Sequence, residues 1–159
     1  MDGDCNILES INNEDIGCLI WRISKFWQRG KHRLLDEFGL TSSQLELLGA
    51  IYHMSKLKME ITQIILSQET DIDPMTTSTI LRTLQRKGFI SRRESLTDTR
   101  ARVVEITEAG SELFEKAIIK VKKGQNKLFE NIDKESLKIQ LQILLREMDK
   151  LSNKTNNKL

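Results

Sequence analysis

Proline occurs once in this 159-residue chain, cysteine twice, histidine twice and glycine eight times, and aromatic residues make up only 5%. So little proline and glycine excludes a loop-rich or all-β chain and favours helix. Two cysteines, Cys5 and Cys18, form neither a disulfide framework nor a metal pattern. His32 and His53 stand far from any Cys or acid cluster, so no zinc site is expected. No uninterrupted apolar run nears the ~20 residues of a membrane span, and the first thirteen residues are polar and acidic rather than signal-like. A cytoplasmic chain without a membrane partner is the expectation. A phosphate-cradling glycine loop, a Ser-His-Asp order and a scaffolded carboxylate pair are also missing, so no enzyme and no cofactor are expected.

Charge is nearly balanced overall, at +2, but unevenly spread. Between Arg82 and Arg102 stand seven basic residues (Arg82, Arg86, Lys87, Arg92, Arg93, Arg100, Arg102) against two acidic ones, Glu94 and Asp98. One element is therefore strongly positive while the rest is mildly acidic, as in a nucleic-acid footprint.

Periodicity supplies the elements. Ile16, Leu19, Ile20, Ile23, Phe26 and Trp27 recur at helical steps and predict one helix over residues 14–38, bent at Gly30 and ended by Gly39. Thr41-Ser42-Ser43-Gln44 reads as a helix start ahead of Leu45, Leu47, Leu48 and Ile51. A short helix is expected over 60–68, with Ile61, Ile64 and Ile65 inward. Asp73-Pro74 joins an N-cap acceptor to a residue preset for the first helical turn, so a helix should run from there to Lys87 and stop at Gly88. Two short helices and a tight turn make a helix-turn-helix. Residues 89–94 and 101–106 read as strands of a hairpin, with Arg102, Val104 and Ile106 on one face. Thr107 should cap a helix interrupted at Gly124. Asp133 should cap the last helix, where Leu137, Leu141, Leu144, Met148 and Leu151 form a heptad seam up to a polar tail at Ser152.

The fold class that follows is mostly α with a small β-hairpin wing, a winged helix-turn-helix with added N- and C-terminal helices. Its expected parts are a flexible segment 1–13, a dimerisation helix 14–40, a DNA-binding lobe 41–110, dimerisation helices 111–152 and a flexible tail 153–159. In the second helix of the motif Thr77, Ile80, Leu81 and Leu84 should pack on the core. The opposite positions, Met75, Thr76, Ser78, Thr79, Arg82, Thr83 and Arg86, carry no acid. Hydroxyls and arginines of this kind contact phosphates and base edges, so Thr76, Ser78, Thr79, Arg82, Thr83 and Arg86 are the candidate recognition residues on double-stranded DNA. Arg92, Arg93, Thr97, Asp98, Arg100 and Arg102 are the candidate wing contacts, since an extended hairpin can lay arginine in a narrow minor groove. The apolar stripes of the first and last helices need a partner surface. Ile16, Leu19, Ile20, Ile23, Leu137, Leu141, Leu144, Met148 and Leu151 are therefore expected in a homodimer interface.

Three stretches carry a family likeness. Asp98-x-Arg100 followed by Val104, Ile106, Thr107 and Gly110 resembles the wing signature of the MarR (multiple-antibiotic-resistance) regulators. Leu81-x-x-Leu84-x-x-Lys87-Gly88-x-Ile90-x-Arg92 resembles that family's recognition-helix ending and first wing strand, and Leu40-Thr41-x-x-Gln44 its second-helix start. The resemblance spans about residues 16–151. It implies a triangular homodimer, a minor-groove role for Arg100 and a wing-holding role for Asp98. It also implies release from DNA by a small phenolic or lipophilic effector, for which Trp21, Phe26, Trp27 and Tyr52 are candidate pocket residues. Arg82 departs from the family, where an acidic residue is frequent. A protein-contact winged helix and a redox sensor acting through Cys18 are the alternative readings.

Overall fold

The computed structural model describes residues 15–57, 60–95 and 102–156. It contains two compact units, one ending at Val121 and one starting at Lys122. This division falls inside a helix.

In the first unit α1 covers Ile16–Leu35, and the Asp15 carboxylate accepts from the Cys18 backbone N–H at 2.8 Å. A single 3-10 turn, Asp36–Phe38, follows and is closed by Gly39 in the left-handed region at φ 60°. The expected single helix thus ends three residues early in a tighter coil. Helix α2, Ser42–Ser55, opens with a reciprocal capping box: Gln44 N–H donates to Thr41 Oγ1 at 3.2 Å and Thr41 N–H to Gln44 Oε1 at 3.1 Å.

Helix α3 runs Gln63–Thr70, not over 60–68. Residues 61 and 62 are extended instead. The Val104 N–H donates to the Ile61 carbonyl at 2.7 Å, and Thr62 bridges Val103. Ile61 and Leu66 are buried, whereas Ile64 is 69% exposed, contrary to the inward orientation expected for it.

Helix α4, Pro74–Arg86, begins on Asp73, whose carboxylate accepts from the N–H groups of Met75 and Thr76 at 3.1 and 2.9 Å. The α3–α4 turn is locked by hydroxyls. Asp71 adopts φ 53°, a left-handed geometry that short Asp tolerates. The Ile72 carbonyl accepts from both Ser67 Oγ at 2.7 Å and Thr77 Oγ1 at 3.1 Å. Thr77 is fully buried yet satisfied for this reason.

Strands β1 (Ile90–Glu94) and β2 (Arg102–Ile106) pair antiparallel, from Ile90 opposite Ile106 to Glu94 opposite Arg102. Val103 is buried along with Val104. Strict alternation fails because β2 lies between β1 and the extended Ile61–Thr62 segment. The core gathers Leu35, Leu48, Ile51, Leu66, Leu81, Leu84, Ile90, Val104 and Phe114. Helix α5 spans Glu108–Leu128, capped by Thr107 Oγ1 on the Gly110 N–H at 3.0 Å. A Cβ at Gly110 would stand 2.0 Å from the Phe89 carbonyl oxygen, so only glycine lets α5 press on the chain leaving α4.

The second unit holds the end of α5 and helix α6, Lys134–Asn156, capped by Asp133 accepting from the Ser136 N–H at 3.1 Å. Gly124 does not interrupt α5, and α6 continues past Ser152. Among the described residues, no helix is long and apolar enough to cross a membrane.

Candidate nucleic-acid interface

Helix α4 has two chemically distinct sides. Thr77, Ile80, Leu81 and Leu84 are buried, as their spacing predicts. Met75, Thr76, Thr79, Arg82 and Arg86 are exposed, and Ser78 and Thr83 are half-buried. The hydroxyls on this outer side are partly committed. Thr79 Oγ1 donates to the Met75 carbonyl and Thr83 Oγ1 to the Thr79 carbonyl, each at 3.1 Å. Having used their protons, they can only accept from a ligand. Arg82 Nη2 donates to Ser78 Oγ at 3.1 Å, which holds the guanidinium along the helix.

At its C-terminus α4 is tied down twice. Lys87 Nζ donates to the Gly39 carbonyl at 2.6 Å, and Gly88 turns the chain at φ 79°. Thr107 Oγ1 donates to the Gly88 carbonyl at 2.8 Å, and the Thr107 N–H to the Phe89 carbonyl at 3.1 Å. These bonds fix the chain between α4 and the hairpin.

The hairpin arginines are less available than a charge count suggests. Arg93 Nε donates to Glu105 at 2.6 Å and lies 3.5 Å from Glu60. The Glu105 hydrogen bond is the main cause of its raised pKa. Arg102 lies 3.6 Å from Glu94, both largely exposed. Arg92 Nη2 donates to Gln63 Oε1 at 3.1 Å, and Gln63 Nε2 donates to the Pro74 carbonyl at 3.3 Å. Burial, then the charges of Arg82 and Arg102, lower the Arg92 pKa, and its buried Nε has no hydrogen-bond partner among the described residues. Arg93 is thus paired with Glu105 and Glu60, and Arg92 is linked through Gln63 to the first turn of α4. Thr97, Asp98 and Arg100 lie outside the described residues.

Gln63, Glu60 and Glu105 have no local signal that marks them. Glu60 and Gln63 precede β1 by about thirty residues, and pairing at that distance is invisible to periodicity.

Of the candidate interface residues, Ile16, Leu19, Ile20 and Ile23 on α1 are exposed. On α6, Leu141, Met148 and Leu151 are exposed, and Leu137 and Leu144 are half-buried. The candidate pocket aromatics have separate surroundings. Lys25 lies over Trp21 at 4.0 Å and Arg29 over Phe26 at 5.1 Å. Tyr52 donates to Glu115 at 2.6 Å and packs on Phe114. Only Trp27 of the four lines the open depression of ≈ 740 Å³ between α1 and the start of α2, with Arg29, His32, Arg33, Thr41 and Glu46 among its other walls. His32 pairs with Asp36 at 3.6 Å, and His53 sits edge-on to Phe114. Among the described residues no cluster of His, Cys, Asp or Glu suits a metal ion. Cys18 is half-buried on α1.

The family model for the SarA/Rot transcriptional regulators matches residues 29–117. The HTH-type transcriptional regulator YdcH of Bacillus subtilis (strain 168) is 33% identical over 117 residues, covering 74% of this chain and 80% of its own. YdgJ of the same organism is 29% identical over 115 residues, covering 72% and 68%. Among solved structures, MepR of S. aureus in complex with DNA superposes with a TM-score of 0.76 at 23% identity, over 86% of this chain and 98% of that one. An E. coli MarR variant complexed with operator DNA gives 0.72 at 22% identity, over 84% and 92%. The helix-turn-helix, hairpin and flanking helices thus recur in this fold, and the sequence match reaches through both helices of the motif and the hairpin. The chain is therefore a transcriptional regulator, not an enzyme, and belongs to the SarA/Rot family, with the winged helix-turn-helix fold that the MarR structures share.

Proposed function

We propose that the chain binds a pseudo-palindromic DNA operator as a homodimer in the cytoplasm, and that it is a repressor released by a small phenolic or lipophilic effector. The observation that carries the DNA reading is the outer side of α4, acid-free and bearing Thr76, Ser78, Thr79, Arg82, Thr83 and Arg86, with only Lys87, Gly88 and Phe89 between its end and the hairpin. A protein-contact surface would favour apolar or acidic groups there. Two solved neighbours of the fold carry DNA in their crystals, which supports the same assignment.

Dimerisation is supported by the apolar faces of α1 and of α6. Each leaves several large side chains exposed, and a second copy of the chain would cover them. A two-fold dimer matches half-sites about one helical turn (~34 Å) apart. The effector reading draws on the depression beside Trp27, where an aromatic wall meets cationic side chains, and on CouR of Rhodococcus jostii, a fold neighbour crystallised with p-coumaroyl-CoA.

Selection of bound duplexes from a random pool tests the proposal. Expected is an inverted repeat of the stated spacing, bound by a particle of dimer mass, with affinity falling steeply as salt rises. Arg100→Ala should weaken binding to all selected sites alike. A pool without sequence preference, or a monomer at binding concentrations, would refute the reading.

A further inference from the structure

Met75 is 81% exposed and occupies the second position of α4, one turn before Thr79 on the same side. It contributes nothing to the core. The N-terminal turn of a recognition helix is the part that meets base edges. A methionine there can neither donate a hydrogen bond nor accept one strongly, so whatever it touches must be apolar. The major groove displays one apolar group among its donors and acceptors, the thymine C5 methyl. Thr79 reinforces this chemistry. Its hydroxyl proton is spent on the Met75 carbonyl, which leaves a γ-methyl and acceptor lone pairs for the exterior. Arg82, the next group along the side, is held by Ser78 and so does not fold back over Met75.

We propose that Met75, backed by Thr79, is a specificity-determining residue that reads a thymine methyl in each half-site. The inference rests on the operator-binding reading above. It adds a preference that a phosphate-contacting or guanine-reading helix would not show. Met75 is a contact residue here, with no part in holding the fold.

The experiment replaces each thymine of the selected operator in turn by deoxyuridine, which removes the methyl and leaves base pairing intact. Affinity is measured for the wild type, Met75→Ala and Met75→Leu. In each half-site one replacement should weaken the wild type about fourfold, the worth of one methyl-sized apolar contact. Met75→Ala should bind thymine and uracil operators equally at that position, and Met75→Leu should keep the discrimination. Unchanged thermal midpoints would show that both variants fold. The inference falls if no thymine methyl matters to the wild type, or if Met75→Ala retains the full sensitivity. A wild type that selects no sequence from the pool would remove the operator reading itself, a result obtained before any uracil is introduced.

Discussion

Helix α4 and the β1–β2 hairpin are close in sequence and both carry arginines, but the structure uses the arginines differently. On α4, Arg82 and Arg86 are exposed and face no carboxylate among the described residues. On the hairpin, Arg93 meets Glu60 and Glu105, Arg102 meets Glu94, and Arg92 is spent on Gln63. A helix caps itself with one residue and can leave its outer side unpaired. A two-stranded ribbon has little core of its own and depends on side-chain bonds to neighbouring elements. The same residue type is therefore left exposed on one element and serves anchorage on the other.

The joint between the two regions should be the most sensitive point. Gly110→Ala drives a Cβ into the Phe89 carbonyl, a backbone atom that cannot turn aside. A loss of about 3 kcal/mol is expected, at the high end for overpacking. Urea denaturation would measure it. A loss below about 1 kcal/mol would mean that α5 does not bear on the α4 exit as described.

Mutations on the two elements should have opposite consequences. Arg82→Ala with Arg86→Ala should cut operator affinity roughly 10–100-fold, while stability stays within about 0.5 kcal/mol. Arg93→Ala should do the reverse, lowering the thermal midpoint while operator affinity stays near wild type. Equal losses of affinity in both variants would erase the distinction between the elements.

How much of this was legible in the sequence follows from the range of the interactions. Helix α4 could be read almost completely, because its cap (Asp73-Pro74), its buried side and its stop at Gly88 are all local chemistry. So could the capping box at Thr41 and Gln44 and the caps at Thr107 and Asp133. The segment at Ile61 and Thr62 was misread as helix because its apolar residues also fit a helical period. Its strand conformation comes from pairing with Val103 and Val104, more than forty residues away. Long-range pairing also explains the wing. Nothing near Arg93 in sequence announces its pairing with Glu60. Ser152 looked like a tail because polarity marks the end of an apolar seam but does not end a helix.

Gln63 joins the two regions more gently. Its amide accepts from Arg92 and donates to the Pro74 carbonyl, so one side chain ties the first wing strand to the start of α4. Gln63→Ala should cost about 1–2 kcal/mol, since both hydrogen bonds are lost and part of the Arg92 guanidinium is left unsatisfied. Gln63→Glu should recover much of this by accepting from Arg92. If Gln63→Ala unfolded at the wild-type denaturant concentration, the link would be incidental.

The smallest effect belongs to the cap of α4 and is best seen in its pH dependence. Hydrogen bonds from Thr76, side chain before backbone, then from the Met75 N–H, hold the Asp73 pKa below its ordinary value of 3.8. A carboxyl with a depressed folded-state pKa stabilises the fold fully above its unfolded value and loses that contribution as pH falls through the folded one. Asp73 should therefore matter at neutral pH and fade only below pH 3.8. Asp73→Asn keeps an acceptor but has no charge to titrate, so the stability gap between wild type and variant should be constant from pH 7 to about 5 and close in stronger acid. A gap that widened on acidification would mean that the carboxylate is not the cap that starts α4.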